Sequence, residues 1–473
     1  MRKIRRVLLL GVVMTLLIAC VAPVAAQNST GADVQQGCMT LDAQVPLYSG
    51  EKLVETAEAV ILYELNSDTL VYSYNPDEMR DPSGMNKLMT ALLAVEHGNP
   101  EAKVSVTREA LNSVAIGAVS AGLKVDEILT LEDLLYLMMV GSANDAAAVI
   151  AEHIGGSQEL FVAMMNQRAK ELGCTNTQFR NSNGLEHEDQ YTTARDLAKI
   201  TAVALENELF CQLFSATEYT VPATEKSEER RVVTTNYLMS KETVRDQYDE
   251  RVTGGKTGAL STTNRSLIST AESGDCRYLA VVMNAKGAVT SNGLAVKKFG
   301  SFEETRDLLD HAFTQYSIRQ VLHEDRTMEQ FSVEGGENDV TVRPAQTLVA
   351  TMPTELNPLD ISYRCSRAEG LSAPIRPGQS VGTVEVWYQS VCVGRCDLVA
   401  MFSVAEPGTD TFLIPPTAQE ERAITLQSIL LIGGIVLLAL VAVVAVAALV
   451  LRLKRAYKDK HLGEWVKPKR RGY

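Results

Sequence analysis

The 473-residue chain contains no Cys-x-x-Cys pair, no His-Glu-x-x-His and no histidine pair at ligand spacing near a cysteine. Its eight cysteines stand apart at positions 20, 38, 174, 211, 276, 365, 392 and 396, so no metal framework is laid out along the sequence. Neither a metal nor a cofactor is expected. Internal repeats are missing too. Basic charge is missing from most of the length: residues 452–473 hold nine Lys or Arg against two acids, and residues 1–6 add four more positive charges. From a total of −13 this leaves −24 on residues 7–451, which argues against nucleic acid as a partner.

Charge is also absent from two apolar runs. Val7 to Ala19 is uncharged, follows a basic start and precedes the small residues Val24-Ala25-Ala26, the pattern of a secretory signal peptide over residues 1–26. Leu17-Ile18-Ala19-Cys20 allows the alternative of cleavage and lipidation at Cys20. Ala423 to Leu451 has no charged residue, and its strictly apolar part from Ile429 would reach about 34 Å as a helix, enough to span a bilayer. Arg452, Lys454, Arg455, Lys458 and Lys460 follow, so the positive-inside rule predicts residues 27–422 outside the cell and the tail in the cytoplasm. With an exterior location disulfides are permitted, and Cys365 with Cys392 or Cys396 is the expected pair if one forms.

After an N-terminal segment over 27–54, the exterior part divides near residue 320. Before it, from 55 to 322, helical and strand patterns alternate as in an α/β layered domain. Ala59 to Tyr63 and Leu70 to Tyr74 flank Asn66-Ser67-Asp68 as a hairpin, and Lys87 to His97 reads as a helix stopped by Gly98. Thr130-Leu131-Glu132-Asp133 resembles a capping box. Two closing strands are predicted at Ser266–Thr270 and Tyr278–Asn284. From 323 to 405 short β-like runs predict a small all-β domain, and residues 406–422, with three prolines, read as a linker to the membrane segment.

Three short motifs carry the chemistry. Pro82-Ser83-Gly84-Met85-Asn86-Lys87 places a lysine at the start of a helix, Ser142-Ala143-Asn144 precedes another helix, and Lys256-Thr257-Gly258 falls on an expected strand. Alone, Ser142 could be a helix cap and Lys256 a solvated lysine at a strand end. Their order, together with Thr130 to Leu135, Asn144 to Ala147, Phe179 to Leu185 and Tyr191 to Ala198, closely resembles the D-alanyl-D-alanine carboxypeptidases, the low-molecular-mass penicillin-binding proteins. The likeness covers about residues 55–320, and 323–405 resembles that family's C-terminal β domain.

The resemblance implies an α/β, β-lactamase/transpeptidase-like domain, an antiparallel five-stranded sheet with helices on both sides, plus the β domain, and the apolar run at 423–451 adds one C-terminal transmembrane helix where that family typically has a surface amphipathic helix. It implies the terminal D-Ala-D-Ala of peptidoglycan stem peptides as substrate and β-lactams as ligands. Residue by residue, Lys87 matches the general base, Ser142 and Asn144 the proton relay and substrate-amide contact, and Lys256 with Thr257 the carboxylate site. Ser83, Gly258 and Ala259 are expected beside the substrate, with the oxyanion held by the N–H groups of residue 84 and Ala259. The family's Pro-Ala-Ser-Met-Thr-Lys, however, is here Pro-Ser-Gly-Met-Asn-Lys. Gly84 stands where the nucleophile is expected and has no atom to attack with, and Asn86 is a second departure. Ser83, one residue early, is either an N-cap bonded to the N–H of Met85 or Asn86, or a displaced nucleophile. The chain is therefore read as a membrane-anchored homologue impaired in acylation, which binds stem peptides and, non-covalently, β-lactams. The alternatives are a working carboxypeptidase using Ser83 and a non-enzymatic cell-wall scaffold.

Overall fold

A computed structural model of the protein describes residues 41–42, 45–241, 245–261, 263–289 and 296–408. The expected signal peptide with Cys20, the transmembrane helix at 423–451 and the basic tail lie outside these residues. Among the described residues no helix is long and apolar enough to cross a membrane.

The hairpin forms as β1 (Ala59–Glu64) and β2 (Thr69–Tyr74), paired antiparallel. Every residue of β1 is buried, because both faces of the strand are covered. Ile61 and Tyr63 face one apolar core with the helices of the chain's middle. Val60 and Leu62 face a second core with Phe302, Leu308 and Leu309.

The polypeptide then runs through a 3₁₀ turn at Ser83–Met85 into α1 (Asn86–His97). Gly98 ends this helix in an extended conformation, φ −95°, rather than the left-handed one a glycine stop usually adopts. Glycine is required there by crowding: an added Cβ would lie 2.3 Å from Leu131 Cδ2 and 2.6 Å from Ala94 O. The capping box forms as read, with Thr130 and Asp133 bonding reciprocally at the start of α2 (Leu131–Met139). α3 (Asn144–Gly155) follows after a sharp bend, and further helices run over Gln158–Glu171, Ala194–Ala204 and Glu208–Ser215.

Three strands complete the sheet: β3 (Val252–Ala259), β4 (Asn264–Ser273) and β5 (Cys276–Lys286). The order is β2-β1-β5-β4-β3, antiparallel throughout. The two closing strands are thus longer than the sequence suggested, and the turn between them tightens to Gly274-Asp275. β3 is an edge strand, with one side bonded to β4 and the other open to the helical layer. α4 (Gly300–Gln315) covers the opposite face and leads directly into β6 (Tyr316–Leu322).

The second part is all β. β6 pairs with β9 (Leu348–Pro353), and a five-stranded sheet runs β7 (Gln330–Phe331), β8 (Val340–Pro344), β12 (Val391–Ala400), β11 (Ser380–Tyr388), β10 (Ile361–Arg367). The expected Cys365 pairing does not form: Cys365 and Cys396 are free, and Cys392 is disulfide-bonded to none of the five free thiols. The register gives the reason for Cys396. Cys365 and Cys396 are both opposite Val384, on the two strands flanking β11. Two strand spacings are roughly 9.5 Å, beyond the ~7 Å Cα separation a disulfide tolerates.

Candidate active site

The first motif sits at the start of α1, and its local geometry overturns the N-cap reading of Ser83. The N-cap of the turn is Pro82 and that of α1 is Met85, and neither position has a side-chain capping bond. Ser83 lies inside the 3₁₀ turn with φ +50°. Asp81 does the local capping instead, its Oδ1 accepting the Ser83 N–H at 2.6 Å. Burial raises the Asp81 carboxyl, partly offset by that bond. The Ser83 side chain lies against β3: a Cβ built on Gly258 would come 3.1 Å from Ser83 Oγ and 3.3 Å from its Cβ. Gly258 is therefore a point of close approach between strand and turn.

Gly84 opens onto a cleft of about 420 Å³ lined also by Lys87, Val119, Ser142, Asn144, Asn183, Leu185, Thr257 and Ala259. A side chain at 84 would point at Thr257 O, 3.0 Å from its Cβ, and toward Ser142 Oγ at 3.9 Å. Lys87, one helical turn further, shares this face. Its Nζ donates to Asn144 Oδ1 at 2.8 Å and to the carbonyl of Asn183. Ser142 is no cap, since Ala143 occupies that place. Held at φ +58°, Ser142 instead takes a hydrogen bond from Lys256 Nζ at 2.9 Å. Lys256 is 1% exposed, which excludes a solvated strand-end lysine. Its amine also donates to Thr257 O at 3.0 Å, and the Thr257 and Thr235 hydroxyls are 2.5 Å apart.

Two backbone donors face the cleft. Gly84, in the first turn of a helical segment, has an N–H without an intrahelical acceptor. In an antiparallel edge strand, residues whose polar groups point at the neighbour alternate with residues whose groups point away. Leu260 N–H bonds Asn264 O at 3.1 Å, toward β4, whereas Thr257 O turns to the cleft. Ala259, two residues from Thr257, turns its N–H the same way.

Both lysines are pushed toward neutrality. Burial brings Lys256 down to about 7, and burial followed by the charge of Lys256 holds Lys87 well below the ordinary lysine range. Buried Asp145 acts in the opposite direction on Lys87. Asp145 also holds one wall of the cleft. Its carboxylate accepts Ser120 Oγ at 2.6 Å, Ala121 N–H at 2.9 Å and Leu123 N–H at 3.1 Å, while Asn144 Nδ2 donates to Val119 O at 3.0 Å. Asn86 braces the other side, its Nδ2 donating to Gln190 Oε1 at 2.7 Å and Asn181 O at 2.9 Å.

Eight of the nine residues singled out in the sequence, Ser83 among them, line one cleft, and the ninth, Lys256, is buried behind its wall and reaches it through Ser142. Asn183, Thr235 and Asp145 were not among them. Asp145 adjoins Ser142-Ala143-Asn144 and Asn183 belongs to an Asn-Gly turn, both readable signals, but nothing in the sequence marks Thr235. Among the described residues no group of three His, Cys, Asp or Glu side chains could hold a metal ion.

A sheet with helices on both faces, an edge strand carrying Lys-Thr-Gly and two buried lysines at a cleft match the transpeptidase-like fold of the penicillin-binding proteins. Residues 49–287 match the D-alanyl-D-alanine carboxypeptidase family, and the chain belongs to that family. It is 28% identical to the D-alanyl-D-alanine carboxypeptidase DacF of Bacillus subtilis (strain 168), over 76% of this chain and 89% of that protein. It is 27% identical to DacC of Escherichia coli (strain K12), over 76% and 88%. Among solved structures, penicillin binding protein 5 from Haemophilus influenzae superposes with a TM-score of 0.59 at 24% identity, covering 76% of this chain and all of that one. DacD from Francisella tularensis gives 0.57 at 21%, covering 76% and 98%. These structural likenesses show the fold.

Proposed function

We propose that the protein acts in peptidoglycan metabolism as a D-Ala-D-Ala carboxypeptidase homologue that recognises stem-peptide termini but forms no acyl-enzyme. The observation that carries this reading is Gly84 in an otherwise furnished cleft: Lys87, Ser142, Asn144 and Thr257 line it with the backbone of Gly84 and Ala259, and Lys256 backs Ser142, around a position with no hydroxyl. Ser83 also lines the cleft, but it stands one residue early, at φ +50° with its Oγ over Gly258, and in this reading it does not replace the nucleophile.

In this reading the carboxylate of the terminal D-Ala lies against Lys256 and Thr257, and the scissile carbonyl points at the N–H groups of Gly84 and Ala259. β-Lactams, which carry a carboxylate and a strained carbonyl at similar spacing, bind there reversibly. We place the domain on the outer face of the membrane, tethered by residues 423–451. The support is the uncharged stretch with basic residues behind it.

The test is calorimetric titration of the full-length protein with diacetyl-L-Lys-D-Ala-D-Ala and with the D-Ala-L-Ala isomer. Saturable binding of the first alone is expected, weakened at least 10-fold by Lys256→Met. Equal binding of both isomers, or of neither, contradicts the reading and favours the scaffold.

A further inference from the structure

Lys87 has more to offer than a binding contact, and the inference drawn here rests on the recognition reading above. Gly84 and Lys87 lie on one face of α1's first turns and line the same cleft. The direction a side chain at 84 would take is flanked by polar atoms of two other residues, Thr257 O at 3.0 Å and Ser142 Oγ at 3.9 Å from the Cβ position, and Lys87 lines the same cleft. That position is one covalent bond from Gly84 Cα, so a water sits further out in the cleft, whose lining carries the polar groups of Lys87, Ser142 and Thr257. These three groups match the two to four polar partners that an ordered water requires, and the cleft of about 420 Å³ has room for one at roughly 30 Å³ per molecule.

We propose that this cleft seats a water in the place of the missing hydroxyl, and that Lys87 activates it for direct hydrolysis of the terminal D-Ala-D-Ala amide without an acyl-enzyme. The hydrogen bonds of Lys87 suit the task. Asn144 Oδ1 and Asn183 O take two N–H bonds, which are all that a neutral amine has, and its lone pair is left to accept a proton. Burial favours that neutral form.

The step balances. The water oxygen attacks the carbonyl carbon of the penultimate D-Ala while Lys87 Nζ takes one proton, and Gly84 and Ala259 N–H groups hold the oxyanion. On collapse the C–N bond breaks. The departing amine receives a proton from Ser142 Oγ, which Lys256 Nζ, 2.9 Å away, resupplies. The new acid keeps the water oxygen as a carboxylate, its remaining proton completes the D-Ala ammonium, and exchange with solvent resets both lysines. One water is consumed and nothing is oxidised.

The rate is modest by design: sites stripped of a nucleophile retain about 10³–10⁴ over the uncatalysed reaction through oxyanion stabilisation and binding. The full-length protein, pretreated with benzylpenicillin and dialysed so that any contaminating serine carboxypeptidase is inactivated, is incubated with diacetyl-L-Lys-D-Ala-D-Ala for a day. D-Ala release, protein mass and peptide binding are followed together, with and without hydroxylamine. Expected are slow release, no mass change, no hydroxamate, and at least a 10-fold loss in Lys87→Met. Should that variant not fold, the unaltered protein decides by its pH profile, in which release must fall at low pH as Lys87 is protonated. A pH-independent rate overturns the proposal, and so does hydroxamate or an acylated protein. Binding without release overturns it while leaving recognition intact, whereas no binding overturns both.

Discussion

Replacing Gly84 by serine asks whether one hydroxymethyl group separates this cleft from an acylating one. Gly84 does not adopt a positive φ, so an L side chain meets no backbone objection there. The obstacle is steric: the new Cβ stands 3.0 Å from Thr257 O and 3.4 Å from Gly258 Cα. Thr257 belongs to β3, an edge strand held on one side only, so the few tenths of an ångström required can be met by a small outward shift. At one turn from Lys87 and facing Ser142, the new oxygen lies between the Lys87 amine and the relay, with the N–H donors of residue 84 and Ala259 ahead of the acyl carbon. Losing a nucleophile from such a unit typically costs on the order of 10⁶ in rate, so even a thousandth of that returned would stand far above background. The assay is intact-mass spectrometry of full-length Gly84→Ser after incubation with benzylpenicillin, with the adduct mapped by peptide digestion. An adduct on residue 84 is expected. A variant that melts like the parent yet shows no adduct after hours would refute the claim that the rest of the site is in working order.

Other perturbations test its supports. Gly184→Ala would put a Cβ 1.7 Å from Ser83 O at a residue with φ +79°, so a loss of about 2 kcal/mol or more in denaturant unfolding is expected. An unchanged midpoint would show that the 181–190 loop does not clamp the turn. Asn86→Ala removes the side-chain donor to Asn181 O and one of the two donors to Gln190 Oε1, which keeps the Arg180 N–H, and should cost about 1–3 kcal/mol by the same measurement. Lys256 has a folded pKa near 7, below its unfolded value of about 10.4, so between those limits the unfolded chain binds the extra proton. Its contribution to stability therefore rises with pH across that window, by up to about 1.4 kcal/mol per pH unit. Lys256→Met should flatten that rise, and a variant whose melting temperature climbs as steeply as the parent's from pH 7 to 9 would refute the burial of this amine.

Much of this was legible in the sequence because the relevant signals are local. The β1–β2 hairpin carries its turn residues, the capping box carries its own reciprocal pair, and the three motifs keep their family order. Their convergence was legible only through the family resemblance, since no local signal says that residues 87, 142 and 256 meet. Ser83 was misjudged because serine before a helix caps by default. Here Asp81 reaches the Ser83 N–H first, and the left-handed φ turns the hydroxyl toward Gly258. The strand Ile361–Arg367 escaped notice because an edge strand exposed on one side keeps Ser362, Arg364 and Ser366 among few apolar residues. The cysteine pairing failed for lack of register, which places Cys365 and Cys396 two strands apart. Thr235 reaches Thr257 only through tertiary packing.

The central claim, recognition without acylation, is tested most directly by the mass of the full-length protein after prolonged exposure to benzylpenicillin. The mass should remain that of the unmodified chain while the antibiotic competes with diacetyl-L-Lys-D-Ala-D-Ala for the cleft. A penicilloyl ester, above all one mapped to Ser83, would contradict it and make the protein a working acylase.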